Sequence, residues 1–424
     1  MYQDDMNMKK SYWRKYRGWT ALMVLLIGVS CHTEPGGVDR YTDSDGQNPR
    51  VMHGAGSAET GGRAMEDPAG RDQSAIPVKL PHVTMSQVEN QVSEIPQLRS
   101  FMLYQEGEIQ AEVHRGNRSR NQPVNIKSAS KSVMSALIGI AIDRGYIRSV
   151  DDPVAYYLPD YFRGGDEPAK EEITIRHLLT MTSGLRSTSF RNYGAWVASR
   201  DWVGHVIRGP LERDPGERMR YSTGDTHLLS AVLTEASGMS SRSFAQRYLF
   251  DPMGIRVGGW DRDPAGYYFG GNNMALSPAG LVEFGKLYLQ MGVHDGRQLL
   301  PAEWVMQSMT RHQKDVSYNY RNHDYGYLWW QNEFAGYDAW FAWGYGGQYV
   351  FVMPALHAVA VFTGNPSQRS PGGNSRIYDV LEGGVIPALH HARKAVVVGP
   401  RKESGGGHVL LSKENYQQMS QYSD

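Results

Sequence analysis

Within this 424-residue chain, Ser128-Ala129-Ser130-Lys131 is the tetrapeptide whose residue types and spacing best suit chemistry. A serine hydroxyl is a weak nucleophile until a base takes its proton. On a helix, residues three apart share a face, so the Lys131 amine can reach the Ser128 hydroxyl. Burial lowers a lysine pKa because the ammonium loses hydration, and a neutral Lys131 can then accept the proton. At a helix start the backbone N–H is unpaired and the dipole favours negative charge, so the Ser128 N–H suits an oxyanion. The bland alternative is an N-cap serine followed by a surface lysine. Two observations weigh against it. Ser-x-x-Lys occurs once in the chain, and it opens a stretch (Val133, Met134, Leu137, Ile138, Ile140, Ile142) that is apolar nearly all round. Such a helix is buried, and a surface lysine would be out of place on it.

The elements that must position this pair follow from periodicity. Leu98 to His114 is predicted as strand, turn, strand: Phe101, Leu103, Ile109, Ala111 and Val113 alternate with mostly polar neighbours, and Glu106-Gly107 supplies the turn. Ser128 to Arg144 is the predicted buried helix, stopped by Gly145. Residues 150–270 are predicted mostly helical, with segments at Ile175–Thr182, Thr226–Ser237 and Ser243–Leu249. A helix at Pro278–Met291, strands at Trp340–Trp343, Tyr349–Met353 and Ala358–Thr363, and a helix at Arg376–Leu389 complete the pattern. Neither the early nor the late strands can bury a face alone, so they must share one sheet. The fold class is therefore α/β (α+β): a sheet-containing lobe interrupted by an all-helical lobe at about 166–270. Clefts between lobes are where small-molecule sites usually lie.

Composition narrows the function. Lys+Arg and Asp+Glu both number 44, so no charge excess points to nucleic acid or to a polyanion mimic. Ten Trp and 25 Tyr suit a packed protein with an aromatic-lined cleft, although core packing explains much of them. The single cysteine, Cys31, cannot make an internal disulfide or a thiolate metal cage. Lys9, Lys10, Arg14, Lys15 and Arg17 precede an apolar run from Gly18 to Ser30 that is too short for a comfortable membrane span. Residues 1–31 thus resemble a bacterial lipoprotein signal, with lipidation of Cys31 as the implied membrane anchor. Gly28 stands where such signals usually carry Leu, which leaves an uncleaved signal anchor and a plain secretory signal as alternatives. Either way the expected location is the bacterial cell envelope, facing the periplasm, or secretion. Residues 32–76 are rich in Gly, Asp, Ser and Pro and are predicted to be a flexible tether. Residues 77–395 form the predicted catalytic domain, and 396–424 a disordered tail.

The ordered matches along the chain resemble the serine β-lactamase-like family, which includes class C β-lactamases, D-alanyl-D-alanine carboxypeptidases, family VIII esterases and 6-aminohexanoate-dimer hydrolase. The nucleophile stretch Ser128 to Gly145 carries the resemblance, with Asp151-Asp152-Pro153-Val154, Tyr157-Leu158-Pro159 and Ile173 to Leu185 following in order. It runs from roughly residue 95 to 390. It implies a β-lactamase/transpeptidase-like fold, an antiparallel sheet flanked by helices. It also implies a second motif, Tyr-x-Asn, which Tyr221-Ser222-Thr223 matches with Thr223 in place of Asn. Tyr221 is then a second general base or acid, and Thr223 a shorter substrate-binding donor. Tyr320-Arg321-Asn322 spells that tripeptide in the wrong order and reads as loop. The third motif, a Lys/His-Thr/Ser-Gly edge strand, is absent as such. Trp343-Gly344-Tyr345-Gly346-Gly347 stands in its place, with Trp343, Gly344 and Gly346 expected to bind substrate and the Tyr345 N–H to join the Ser128 N–H in an oxyanion hole. Losing the cation weakens the case for substrates with a carboxylate; Arg186 is a candidate replacement, but reads more simply as a surface residue.

Other constellations are weaker. No Gly-x-Ser-x-Gly elbow exists, which argues against an α/β-hydrolase. His390-His391 face apart on a helix, and no His-x-x-x-His pair occurs, so neither metal nor cofactor is expected. The expected activity is hydrolysis of a small ester or amide through an acyl-enzyme on Ser128, in an aromatic cleft to which Trp329, Trp330, Trp343 and Tyr345 contribute. The alternatives are a β-lactamase or D-alanyl-D-alanine carboxypeptidase, or a non-catalytic envelope protein that binds penicillin-like or peptide ligands.

Overall fold

The computed structural model describes residues 79–165, 167–318, 321–368 and 374–398. The signal segment, Cys31, the tether and the tail beyond residue 398 lie outside the described residues.

Helix α1 (Met85–Ser93) starts with a capping box between Thr84 and Gln87. It packs on a hairpin of β1 (Leu98–Gln105) and β2 (Glu108–His114). A 3₁₀ turn, Lys127–Ala129, leads into α2 (Ser130–Asp143), which is buried from Ser130 through Ala141. The apolar run that predicted a core helix thus has protein on every side. Short helices follow, among them α3 (Ile175–Leu179) and α4 (Trp202–Ile207), then the long α5 (Thr223–Ser237). The last helical turn of this lobe is Gln246–Phe250; beyond it come isolated bridges such as Trp260–Met274, so the lobe expected to be all-helical up to about 270 is not helical throughout. Helices α6 (Pro278–Leu289) and α7 (Ala302–Ser308) lead into the late strands.

Those strands are β3 (Gln313–Tyr318), β4 (Arg321–Tyr325), β5 (Trp330–Phe334), β6 (Tyr337–Gly344), β7 (Gln348–Met353) and β8 (Ala358–Gly364). The described residues form one eight-stranded antiparallel sheet in the order β2-β1-β8-β7-β6-β5-β4-β3. Strand β1 pairs with β8, with Phe101 opposite Phe362, so the first and last strands do share a sheet. Strands β7 and β8 are buried at every position because both faces are covered. Helix α6 packs against β1, β7 and β8. The last helix among the described residues, α8 (Ile386–Val398), runs into what was predicted as tail.

Strands β3 to β5 were not predicted. Arg321-Asn322-His323-Asp324-Tyr325 has little strand propensity, yet it pairs with both neighbours, an instance of tertiary pairing overriding local preference. Arg321 and Asn322 therefore begin a strand, not a loop, while Tyr320 lies outside the described residues.

Candidate active site

The nucleophile turn is held from both ends. Lys127 has a left-handed backbone (φ 53°), and its N–H donates to Asn125 Oδ1 at 2.9 Å. The Ser130 hydroxyl donates to the Lys127 carbonyl at 2.8 Å. Ser128 is half-buried, whereas Lys131 is only 2% exposed. The Lys131 Nζ lies 3.2 Å from Ser128 Oγ, 3.2 Å from Thr223 Oγ1 and 2.7 Å from the Gly271 carbonyl. A neutral amine fits this arrangement. Two N–H bonds go to Gly271 and Thr223, and the lone pair faces the Ser128 hydroxyl. Burial pushes the Lys131 pKa down to about 7, against the opposing pull of the Asp225 charge.

Tyr221 precedes α5 and places its ring centroid 5.0 Å from the Lys131 Nζ. The ring is half-buried, but protein crowds its hydroxyl, and this desolvation raises the phenol pKa well above its usual value. The nearby Ser128 hydroxyl offsets part of that rise. Tyr221 is therefore a phenol, not a standing phenolate. Its ring joins an aromatic wall with Tyr318 at 5.4 Å, Trp330 at 5.8 Å and Phe190 at 6.1 Å. Trp343 closes the wall beside Tyr318 at 5.1 Å and Trp330 at 5.7 Å.

The end of β6 comes hard against the nucleophile turn. A methyl group on Gly344 would sit 2.1 Å from the Ile126 carbonyl and 3.1 Å from the Ala129 N, so only glycine fits. Tyr345 follows at the turn and is 69% exposed.

Thr223, Gly346 and Trp329 sit differently from the sequence reading, whereas Arg186 lies on the surface and His390 and His391 stay apart as it expected. Thr223, expected to bind substrate, is buried and turned to Lys131, with Ser189 Oγ at 2.9 Å on its other side. Gly346 (φ 83°) answers to packing: a methyl group there would lie 2.4 Å from Pro366 Cα. Trp329 points away from the wall into the core, stacked on Phe284 at 5.9 Å. Arg186 pairs with Glu212 at 3.0 Å on the surface. His390 and His391 take separate partners, the Tyr337 hydroxyl and the Leu80 carbonyl.

Sequence reasoning missed Asp225. It is fully buried, and neither carboxylate oxygen has a hydrogen-bond partner of ordinary geometry. Burial raises its pKa to about 7, while the nearby Ser183 and Ser222 hydroxyls and the Lys131 charge pull it down. The available signal was an acid one helical turn after Tyr221, inside the otherwise buried α5. The Gly271 carbonyl was also missed, since backbone acceptors leave no mark on residue type.

Comparison with known proteins agrees with this architecture. EstCE1, a hydrolase with promiscuous acyltransferase activity, superposes with a TM-score of 0.58 at 17% identity, covering 70% of this chain and 97% of that one. The fold is that of the β-lactamase/transpeptidase class. A family model described as Beta-lactamase matches residues 100–384, and the chain belongs to that family, whose members are serine hydrolases. An uncharacterized protein of Alkalihalophilus pseudofirmus is 25% identical over 291 residues, 61% of this chain and 78% of its own. Esterase EstB of Burkholderia gladioli is 25% identical over 173 residues, 37% of this chain and 43% of that enzyme.

Proposed function

We propose that this protein hydrolyses small, uncharged esters or amides through an acyl-enzyme on Ser128. The observation that carries the reading is the buried Lys131 amine 3.2 Å from the Ser128 hydroxyl, with two N–H groups donated to protein acceptors at Thr223 and Gly271. Lys131 is the first base: its pKa of about 7 leaves the lone pair free near neutral pH, whereas burial keeps Tyr221 protonated.

As Ser128 Oγ bonds to the carbonyl carbon, its proton passes to Lys131 Nζ. The carbonyl electron pair moves to oxygen, which the Ser128 and Tyr345 N–H groups receive, each worth about 3 kcal/mol in the transition state. The bond to the leaving group then breaks. The leaving oxygen or nitrogen takes the Tyr221 proton, and Lys131 returns its own proton to Tyr221. Water repeats the sequence on the acyl-enzyme, with Lys131 again the base.

The wall of Phe190, Tyr318, Trp330 and Trp343 supports an apolar acyl group, and the similarity to an esterase points the same way. Hydrolysis of a p-nitrophenyl short-chain ester, run beside nitrocefin, tests the reading. Ester turnover lost in Ser128→Ala is the expected outcome. Unchanged turnover in that variant removes Ser128 from the mechanism, and nitrocefin turnover exceeding ester turnover replaces the esterase by a β-lactamase.

A further inference from the structure

The Gly271 carbonyl that accepts from Lys131 has no side chain to hold it, so something else must fix its direction. The 270–271 loop rests directly on α5. A methyl group on Gly270 would lie 1.9 Å from the Thr226 carbonyl, and one on Gly271 would lie 2.1 Å from Thr226 Oγ1 and 2.9 Å from Lys131 Nζ. The polar fastening at this contact is His227, whose Nδ1 accepts a long hydrogen bond from the Gly270 N–H at 3.5 Å. The other ring nitrogen, Nε2, lies 3.0 Å from Asp263 Oδ2, and both side chains are wholly buried. Asp263 is itself fixed, because its Oδ1 accepts from the Gly266 and Tyr267 N–H groups at 2.7 and 2.9 Å. Trp196, Trp202 and Phe269 pack edge-on around the imidazole at 5.7, 5.3 and 5.9 Å, which excludes water.

We infer that His227 and Asp263 are positioning residues for catalysis, which lock the Gly270–Gly271 backbone so that its carbonyl holds the Lys131 amine in line with Ser128. The inference rests on the acyl-enzyme reading above. Asp263 accepts the hydrogen bond from Nε2–H and so sets the tautomer, leaving Nδ1 as a bare acceptor for Gly270. The Gly271 carbonyl, two peptide units on, is then presented to Lys131. An imidazole turned to the other tautomer would set Nδ1–H against the Gly270 N–H, donor against donor, and loosen the loop.

Asp263→Asn makes that change without altering volume. Its carboxamide oxygen keeps the Gly266 and Tyr267 bonds, while its NH₂ faces Nε2 and drives the proton to Nδ1. A looser Gly271 carbonyl stabilises the ammonium less, so the Lys131 pKa falls; a worse-aimed amine lowers kcat. We expect kcat to drop about tenfold with KM nearly unchanged, and the acidic limb of the pH–rate profile to move to lower pH. The charged group facing Lys131 is Asp225, and the aromatic one is Tyr221; neither changes in this variant. His227→Gln keeps a donor to Asp263 but loses the acceptor for Gly270, and is expected to move the limb the same way; it serves if Asp263→Asn does not fold. The imidazole ¹⁵N spectrum of the wild-type protein must show the proton on Nε2, and a proton on Nδ1 overturns the inference without any variant. A rate loss matched by lost folded protein, with the limb in place, also overturns it and leaves a purely structural pair. Lys131 titration followed through its ¹³Cε resonance reads the same shift without turnover, so failure of the ester assay does not mask failure here.

Discussion

Asp225→Asn is the sharpest test of how burial sets charge in this site. The wild-type carboxyl is moved from 3.8 to about 7 by loss of hydration, with no well-formed hydrogen bond to repay it. A shift of about three units corresponds to roughly 4 kcal/mol against the charged form. The sign follows from proton uptake. Between about pH 4 and 7 the folded protein holds a proton on Asp225 that the unfolded chain has lost, so stability falls as pH rises through that window. Asparagine has nothing to ionise and escapes this loss. It brings an amide whose own buried donors cost about 1–3 kcal/mol if unpaired. The variant should therefore gain roughly 1–3 kcal/mol over wild type at pH 9, and lose that advantage near pH 4. Lys131 offsets part of this gain near neutral pH, where the substitution removes a negative charge that favours its ammonium. Urea unfolding of both proteins at pH 4, 6, 8 and 9 reads the difference. A stability difference that is flat with pH, or that grows as pH falls, refutes the assignment of a strained buried carboxylate at position 225.

Three further outcomes follow from the same geometry. The kcat/KM profile should rise through an acidic limb centred near pH 7 as Lys131 loses its proton, and the Lys131 contribution to stability should grow from about pH 7 to 10.5, where the unfolded chain binds the extra proton; a limb near pH 5 removes Lys131 as the base. Tyr221→Phe keeps the ring in its wall but loses the acid, so kcat for amides should fall about 10²–10⁴-fold with little change in thermal unfolding; equal kcat in the two proteins assigns the proton to another group. Gly344→Ala forces a methyl group against the Ile126 carbonyl at 2.1 Å, displacing the nucleophile turn. Labelling of Ser128 by a fluorophosphonate should slow at least about tenfold, and an unchanged labelling rate means that the strand end does not support the oxyanion.

The nucleophile helix was legible because its signal is local. One serine, one lysine three residues on, and an apolar run of helical length lie within a single segment, and α2 is buried along that run. The hairpin of β1 and β2 and the central strands β6 to β8 were legible for the same reason, since most of their buried residues are apolar. Strands β3 to β5 were not. Most of their residues are polar, β3 is the sheet edge, and what makes them strands is the neighbour they pair with. Tyr221 entered through the resemblance, and no local feature distinguishes it from 24 other tyrosines. Thr223 shows how position in a motif can mislead. It occupies the place of a substrate-binding Asn, but its shorter side chain ends at Lys131 and Ser189.

The charge state of Lys131 depends on parts of the chain that carry no catalytic signature. Its three neighbours come from the nucleophile turn, the start of α5 and the 270–271 loop, more than 140 residues apart in sequence at the extremes. If burial alone set its pKa, any apolar pocket would do, and the amine would have no preferred direction. If hydrogen bonding alone set it, three good acceptors would hold an ammonium and leave no base. The site combines the two. Desolvation lowers the pKa toward neutrality, and the acceptors at Thr223 and Gly271 use two N–H bonds so that the remaining orbital points at Ser128. A carbonyl can play that part only if it cannot turn away. That is why Gly270 and Gly271 lie flat against α5, where any side chain would collide with Thr226. The glycines that most constrain the chemistry are thus those that let one backbone oxygen reach a buried amine.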